Sequence, residues 1–520
     1  MRKLTLLYPL LFAVNQWLVL FVPNINDIPV KELLLPLGMT LLVTSAVWLG
    51  LLKLVKEPHR ASYLTLLLVI WFSYFGSLQA ATVWRLASRA HLWGGLGLLL
   101  LWSLLFGFLG SRPVWQRVKK PATITAYMGI VGACIFLLLV YRYVQFKWTG
   151  YDQAFFRDFP RPALQASQLP DIYYIILDGY ARSDVLEQVF HFDNRQFLEY
   201  LQQRGFYVAP HSQANYIHTI LSLASSLNMD YLPRIRSETA RDRTYLRNWL
   251  DDNAVQSALQ ATGYQPVVLP SGYVYTENRA YIPAELLEHY RSQTGYLEWL
   301  WMVNSVLVLG LEADLLHSPM DRFQDQQQRI LASAEAAGEI ARQEGAQFVF
   351  WHLVAPHPPF IFDEHGAVTP GEAYYLFDGS DRYDSFATYQ QGYLTQLTYI
   401  NHLMMATIDA ILQNSANPPI IVLQADHGSG AYLDFFSQDN TCLFERFGIL
   451  NAYLLPGFEA EAVVPNNITP VNTFRLIFNL YFNTGLEYLA DTVYFSDFDQ
   501  LYHYNEITES YPPGCAGTSP

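Results

Sequence analysis

AQFVFWHLVAPHPP (346–359), PPIIVLQADHGSG (418–430) and, far upstream, DIYYIILDG (171–179) are three short apolar runs that each stop on a polar group able to do chemistry. Runs of this length, rich in β-branched and aromatic residues and closed by turn residues, read as buried strands. Around them lie GFYVAP (205–210), the strand of NAVQSALQATGYQPVVLPSG (253–272) and FGILNAYLLPG (447–457). Helical patterns over 183–204, from Thr219 to 229, over 386–413 and over 469–483 separate the strands. Strands alternating with helices predict an α/β domain, a mostly parallel sheet sandwiched by helices. In such sheets ligands bind outside the carboxyl ends of the strands.

Outward from this core the composition changes sharply. Residues 1–150 hold 14 basic and three acidic residues, net +11, and the remainder holds 18 basic and 43 acidic, net −25. An acidic domain of that size repels nucleic acid, so no nucleic-acid partner is expected. The basic part contains five apolar segments, about 4–22, 34–55, 62–80, 91–110 and 123–145. Each is near the roughly 20 residues that a helix needs to cross a bilayer. A five-helix transmembrane bundle over 1–146 is therefore expected, followed by a linker over 147–170, a catalytic domain over 171–500 and a tail over 501–520.

Orientation follows from basic residues in short loops. With a cytoplasmic N-terminus, nine face the inside (Arg2, Lys3, Lys53, Lys56, Arg60, Arg112, Arg117, Lys119, Lys120) and three the outside (Lys31, Arg85, Arg89). The acidic domain is thus expected to be extracytoplasmic. No Asp or Glu lies at the centre of any apolar segment; polar residues there include Asn15, Gln16, Thr40, Thr44 and Ser73. That favours an anchor or lipid-handling platform over a transport path. LEWLWMVNSVLVLG (297–310) is apolar but too short to span; an interfacial helix and a core helix of the domain are both open readings.

Of the three cysteines, Cys134 lies in an apolar helix, and Cys442 and Cys515 are free to pair or to stay reduced. Without a CxxC, zinc-ribbon and thioredoxin readings fall away.

Three strands stop on metal-type ligands: IYYIIL at Asp178, FVFWHLVAP at His357, and IIVLQA at Asp426 and His427. Carboxylate and imidazole hold Zn²⁺ or Mn²⁺. His352, inside its strand, reads as a satisfied core histidine.

This order of residues resembles the alkaline phosphatase superfamily, in its sulfatase-like branch with the lipoteichoic acid synthases and phosphoethanolamine transferases, over roughly 170–500. The resemblance implies a first acidic ligand ending the first strand, matched by Asp178, and a threonine nucleophile at a helix start, matched by Thr219 in NYIHTILSLASSLNMDYL. It implies a histidine before a Pro-Phe pair, matched by His357 in PHPPF, and a late Asp-His-Gly, matched by Asp426 and His427. Lipoteichoic acid synthases carry Glu at the first position; Asp is usual elsewhere in the superfamily. The C/S-x-P-x-R motif of formylglycine sulfatases is absent.

The chemistry so implied is a two-step transfer through phospho-Thr219. One divalent ion (Mn or Zn, with Mg or Ca as alternatives), bound by Asp178, Thr219, Asp426 and His427, would activate the hydroxyl. His357 would bind a non-bridging oxygen or protonate the leaving group. Ser222, one turn on, is the rival nucleophile, and His218 a neighbour. His503, Asp384 and His365 are candidates for a second metal without motif support. The expected substrate is a phosphate-linked lipid head group, of phosphoglycerol or phosphoethanolamine type, or an envelope glycan, at the outer face of a bacterial cell (inner) membrane. A sulfuric or phosphonic ester hydrolase and a non-catalytic envelope scaffold are the alternatives.

Overall fold

The computed structural model describes residues 4–25, 28, 30–83, 88–149, 169–232, 243–287, 289, 296–313, 315–316, 322–368, 378–379, 385–507 and 514–515. Its contacts divide into two units, one of residues 1–148 with 292–321, the other of 149–291 with 322–520.

In the first unit each of the five apolar segments is helical. Among the described residues three helices, Val30–Val55, Trp93–Gln116 and Pro121–Gln145, are long and apolar enough to cross a membrane by length and composition. The first segment forms a helix of 14 residues, Tyr8–Phe21. The third is broken at Tyr74 into Pro58–Ser73 and Phe75–Val83, so neither piece reaches spanning length. Polar side chains inside these helices bond across to neighbouring helices: Asn15 Nδ2 donates to Gly132 O at 3.0 Å and Trp17 Nε1 to Thr40 Oγ1 at 2.8 Å. Trp48 Nε1 donates to Ser62 Oγ at 2.9 Å. Such bonds tie one helix to the next.

The 297–310 segment belongs to this unit and not to the core of the α/β domain. It forms the helices Tyr296–Asn304 and Val308–Glu312. Leu297 is fully buried with Trp17, Phe21, Ile28 and Leu33. Trp301 stacks on Trp17, ring centroids 5.3 Å apart. The Val306 amide donates to Phe72 O at 2.9 Å. A side chain at Gly76 would collide with Val303 O at 2.0 Å, so only glycine allows this approach.

The second unit is built on β1 (Ile172–Leu177), β2 (Tyr207–Val208), β3 (Gln265–Leu269), β4 (Gln347–Leu353), β5 (Ile420–Gln424) and β6 (Asn451–Leu454), in spatial order β2-β6-β5-β1-β4-β3. β5, β1, β4 and β3 run parallel, and β6 pairs antiparallel with both β5 and β2. The sheet is therefore mixed, parallel from β5 to the β3 edge and antiparallel at the β6–β2 side. Every residue of β1, β4 and β5 is buried, as expected for strands covered on both faces. The helix Phe386–Asn414 buries Tyr389, Tyr393, Gln396, Leu397, Ile400, Met404 and Ile408, a stripe of helical period. The expected helix over 183–204 is two, Ser183–Phe190 and Arg195–Gln203, because His191 takes a left-handed conformation (φ 54°) that ends the first. The stretch read as a tail from 501 supplies β8 (Tyr504–Glu506), which pairs with β7 (Tyr494–Ser496). Cys442 and Cys515 form a disulfide.

Candidate functional site

β1 lies between β4 and β5 in register, with Ile176 opposite both His352 and Gln424. The carboxyl ends of the three strands are therefore adjacent, and the residues that follow them converge. The Asp178 amide donates to Leu353 O at 3.0 Å and the His357 amide to Asp178 O at 2.9 Å, which ties the β1 and β4 ends together. Gly179 holds φ +74° and its amide donates to Asp426 Oδ1 at 3.2 Å, which ties β1 to β5.

One ligand atom each from Asp178, Asp426 and His427 lies within 4.8 Å of the others, and all three residues are buried. His427 Nε2 is 3.5 Å from Asp178 Oδ1, 3.3 Å from Asp426 Oδ2 and 3.0 Å from Thr219 Oγ1. Donors placed tetrahedrally 2.0–2.2 Å from a Zn²⁺ stand about 3.4 Å apart, so these separations suit one ion. Asp178 Oδ1 and Asp426 Oδ2 are buried without a hydrogen-bond partner among the described residues. Buried carboxylate oxygens are costly in that state, and a divalent cation would satisfy both. The donor set fits Zn²⁺ or Mn²⁺.

Electrostatics support the same reading. Burial pushes the Asp178 carboxyl up, but His357, His352 and His427 around it outweigh burial and hold it below the usual carboxylate range. Burial and the facing Asp178 carboxylate push Asp426 up. Burial and the nearby Arg446 cation keep His427 neutral, the form that ligates metal. Burial would lower His357, yet the carboxylates of Asp178 and Asp378 raise it above the usual histidine value.

Thr219 opens the helix Thr219–Asn228, with His218 as N-cap in extended conformation. Its hydroxyl thus sits beside the free amides and positive dipole end of the first turn, where an anion is favoured. The rival Ser222 is buried, and its hydroxyl has no partner among the described residues. His218 points elsewhere: Nε2 is 2.9 Å from Ser496 O, the ring stacks on Phe435, and burial pushes it down to about 3. The His357 ring centroid is 6.0 Å from that of His427, and its Nδ1 is 2.5 Å from Pro358 O. Gln396 Nε2 donates to His357 O at 3.0 Å and steadies that loop.

His365 is mostly exposed and pairs with Glu364 at 3.5 Å, away from this cluster. His503 is outside the groups of described residues able to hold an ion, and Asp384 lies outside the described residues.

His352 is buried as its reading as a satisfied core histidine expects, and it also lies against the site. Its Nε2 lies 3.2 Å from Asp178 Oδ2 and its Nδ1 3.0 Å from Thr276 Oγ1. It braces the first ligand from behind, as outer partners of metal ligands do. The signal was its place near the carboxyl end of β4, beside β1, but an isolated strand does not reveal its neighbour.

No protein-family model and no curated protein sequence matches the chain. Among solved structures, the periplasmic domain of EptC from Escherichia coli matches with a TM-score of 0.40 at 10% identity, covering 66% of this chain and 98% of that one. The integral membrane lipooligosaccharide phosphoethanolamine transferase EptA from Neisseria meningitidis matches with a TM-score of 0.39 at 12% identity, covering 92% of this chain and 94% of that one. Phosphonate monoester hydrolase of Agrobacterium radiobacter matches with a TM-score of 0.36 at 11% identity, covering 63% and 80%. Likenesses this distant leave the function to be read from the site's own residues.

Proposed function

We propose that this chain is a membrane-anchored, metal-dependent enzyme of the alkaline phosphatase superfamily that transfers or hydrolyses phosphate-linked head groups through Thr219. The observation that carries the reading is the Thr219 hydroxyl, at a helix start, 3.0 Å from His427 Nε2 and facing the buried Asp178–Asp426–His427 cluster. These residues would hold one divalent cation, which supplies Lewis acidity and lowers the pKa of a hydroxyl in its reach.

Asp178, Asp426 and His427 fix the donor geometry. Thr219 Oγ forms a bond to phosphorus while the bond to the leaving oxygen breaks, and the hydroxyl proton is lost to solvent. The amides of the first helical turn receive the charge on the non-bridging oxygens. His357, whose proton affinity its carboxylate neighbours Asp178 and Asp378 raise, gives its proton to the leaving oxygen. An acceptor alcohol or water then attacks phosphorus as the Thr219 Oγ–P bond breaks; its proton goes to His357, and Thr219 Oγ regains one from solvent.

In this reading the five apolar helices anchor the enzyme in a bacterial cell (inner) membrane with a cytoplasmic N-terminus. The catalytic domain is then extracytoplasmic, and the substrate is a lipid head group or envelope glycan. The basic bias of the inside loops supports the orientation, and the Cys442–Cys515 bridge suits an oxidising compartment. The test is mass spectrometry of the full chain after incubation with total membrane lipid. A mass added on Thr219, absent in Thr219→Ala, is expected. A Thr219→Ala protein with full turnover would refute the assignment.

A further inference from the structure

Thr219 reaches the site from a helix start, and Asp426 and His427 reach it from a strand end 208 residues away in the chain. Among the described residues no backbone hydrogen bond joins the two segments directly. One side chain, Arg446, bonds to both. Its Nε and Nη2 donate to Ile217 O at 3.0 and 2.7 Å, two residues before Thr219. Its Nη1 donates to Gly428 O at 3.1 Å, one residue after His427. The same Nη1 donates to Asp378 Oδ2 at 2.7 Å.

Arg446 is 2% exposed, so its charge needs this compensation. Asp378 is held in turn by Tyr389, whose hydroxyl donates to Oδ1 at 2.6 Å and accepts from the Gly430 amide at 3.0 Å. The backbone repeats the grip: the Gly428 amide donates to Arg446 O at 2.8 Å. A side chain at Gly428 would meet Glu445 O at 2.0 Å, so the loop lies directly against the helix Leu443–Phe447. Glu445, next to Arg446, accepts from Ser429 Oγ (2.8 Å) and from the Ala431 (2.7 Å) and Tyr432 (2.9 Å) amides. Two buried charges of one short helix therefore hold the whole turn after His427, and one of them also holds the approach to Thr219.

We propose that Arg446 is a positioning residue that sets the separation of the Thr219 hydroxyl from the His427 side of the cluster. The proposal rests on the reading of Thr219 as nucleophile given above. A guanidinium is required because its three nitrogens reach three separate acceptors, Ile217 O, Gly428 O and Asp378 Oδ2; an ammonium on a lysine stem has no such fork.

The test uses the full chain in detergent, as Arg446→Lys and Arg446→Ala. Amide hydrogen exchange needs neither metal nor substrate: peptides spanning 215–221 and 426–432 should exchange about tenfold faster or more in both variants, with β1 and β4 unchanged. With Mn²⁺ and p-nitrophenyl phosphodiester, kcat should fall about 10- to 100-fold in Arg446→Lys with KM nearly unchanged. Methylguanidinium should restore part of the turnover of Arg446→Ala, and methylammonium should not. Exchange that is unchanged, or raised evenly over the domain, overturns the proposal. So does wild-type turnover in both variants, or a loss that no guanidinium rescues. A wild-type chain that binds no divalent ion sinks the proposed function, while the exchange pattern still judges Arg446.

Discussion

The Oγ1 of Thr219 stands 3.0 Å from Nε2 of His427, although 208 residues separate them. A helix start and a strand end, both bonded to Arg446, meet at that contact.

Replacement of Thr219 separates nucleophile from ligand set. Thr219→Ala should lower kcat by at least about 10³-fold, as loss of a nucleophile does, while most of the bound metal remains on Asp178, Asp426 and His427. Thr219→Ser, which keeps the hydroxyl, should retain measurable turnover. Metal analysis beside steady-state kinetics reads both.

Metal removal should be felt as instability. With the ion gone, two buried carboxylates face each other, and Asp426 is pushed up by burial and by Asp178. An ion present at 1,000 times its Kd stabilises by about 4 kcal/mol, so a chelator should lower Tm by several degrees. Asp426→Asn should abolish that chelator effect. A Tm indifferent to chelation contradicts the metal assignment.

The pH profile follows from His357. Its carboxylate neighbours outweigh burial and raise it above the usual value of about 6.5. The protonated form is therefore lost only as pH climbs through the raised value. Turnover of substrates with poor leaving groups should fall on that basic limb. In His357→Gln the limb should flatten, and with p-nitrophenolate as leaving group the loss should be small.

His352 should matter through Asp178. His352→Ala strips the Asp178 Oδ2 of its neighbour at 3.2 Å. Loss of an outer partner costs about 10–100-fold in metal affinity or activity. Thr276→Val, which removes the 3.0 Å contact to His352 Nδ1, should give a weaker effect of the same kind, read as a rise in metal Kd.

The Cys442–Cys515 bridge closes a loop over a separation of 73 residues. Its loss in Cys442→Ser/Cys515→Ser should cost about 2–4 kcal/mol of stability, seen as a lowered Tm. Cys442 also begins the helix that carries Glu445 and Arg446, so turnover should fall in the same variant.

Much of this site was readable because parallel strands advertise their carboxyl ends. Asp178, His357, Asp426 and His427 all stand where an apolar run stops, and Thr219 stands where a helix starts. What was not readable depends on neighbours. His352 looks like core within its own strand, and only the pairing of Ile176 with His352 brings it to Asp178. Arg446 and Glu445 sit in a helix of five residues, too short to show a period. The antiparallel course of β6 leaves no mark in FGILNAYLLPG, whose apolar pattern is the same in either direction. The break at Tyr74 lies within an unbroken apolar run, which hydropathy reads as one helix.

The return of 296–312 to the N-terminal helices has a practical consequence. A secreted fragment starting after residue 168 would keep Leu297 and Trp301 but lose Trp17, Phe21, Ile28 and Leu33, the residues that cover them. The apolar helices Tyr296–Asn304 and Val308–Glu312 would then lose their cover in an otherwise acidic fragment. Such a fragment should self-associate or cling to detergent micelles, and replacing 296–312 by a short polar stretch should leave it dispersed.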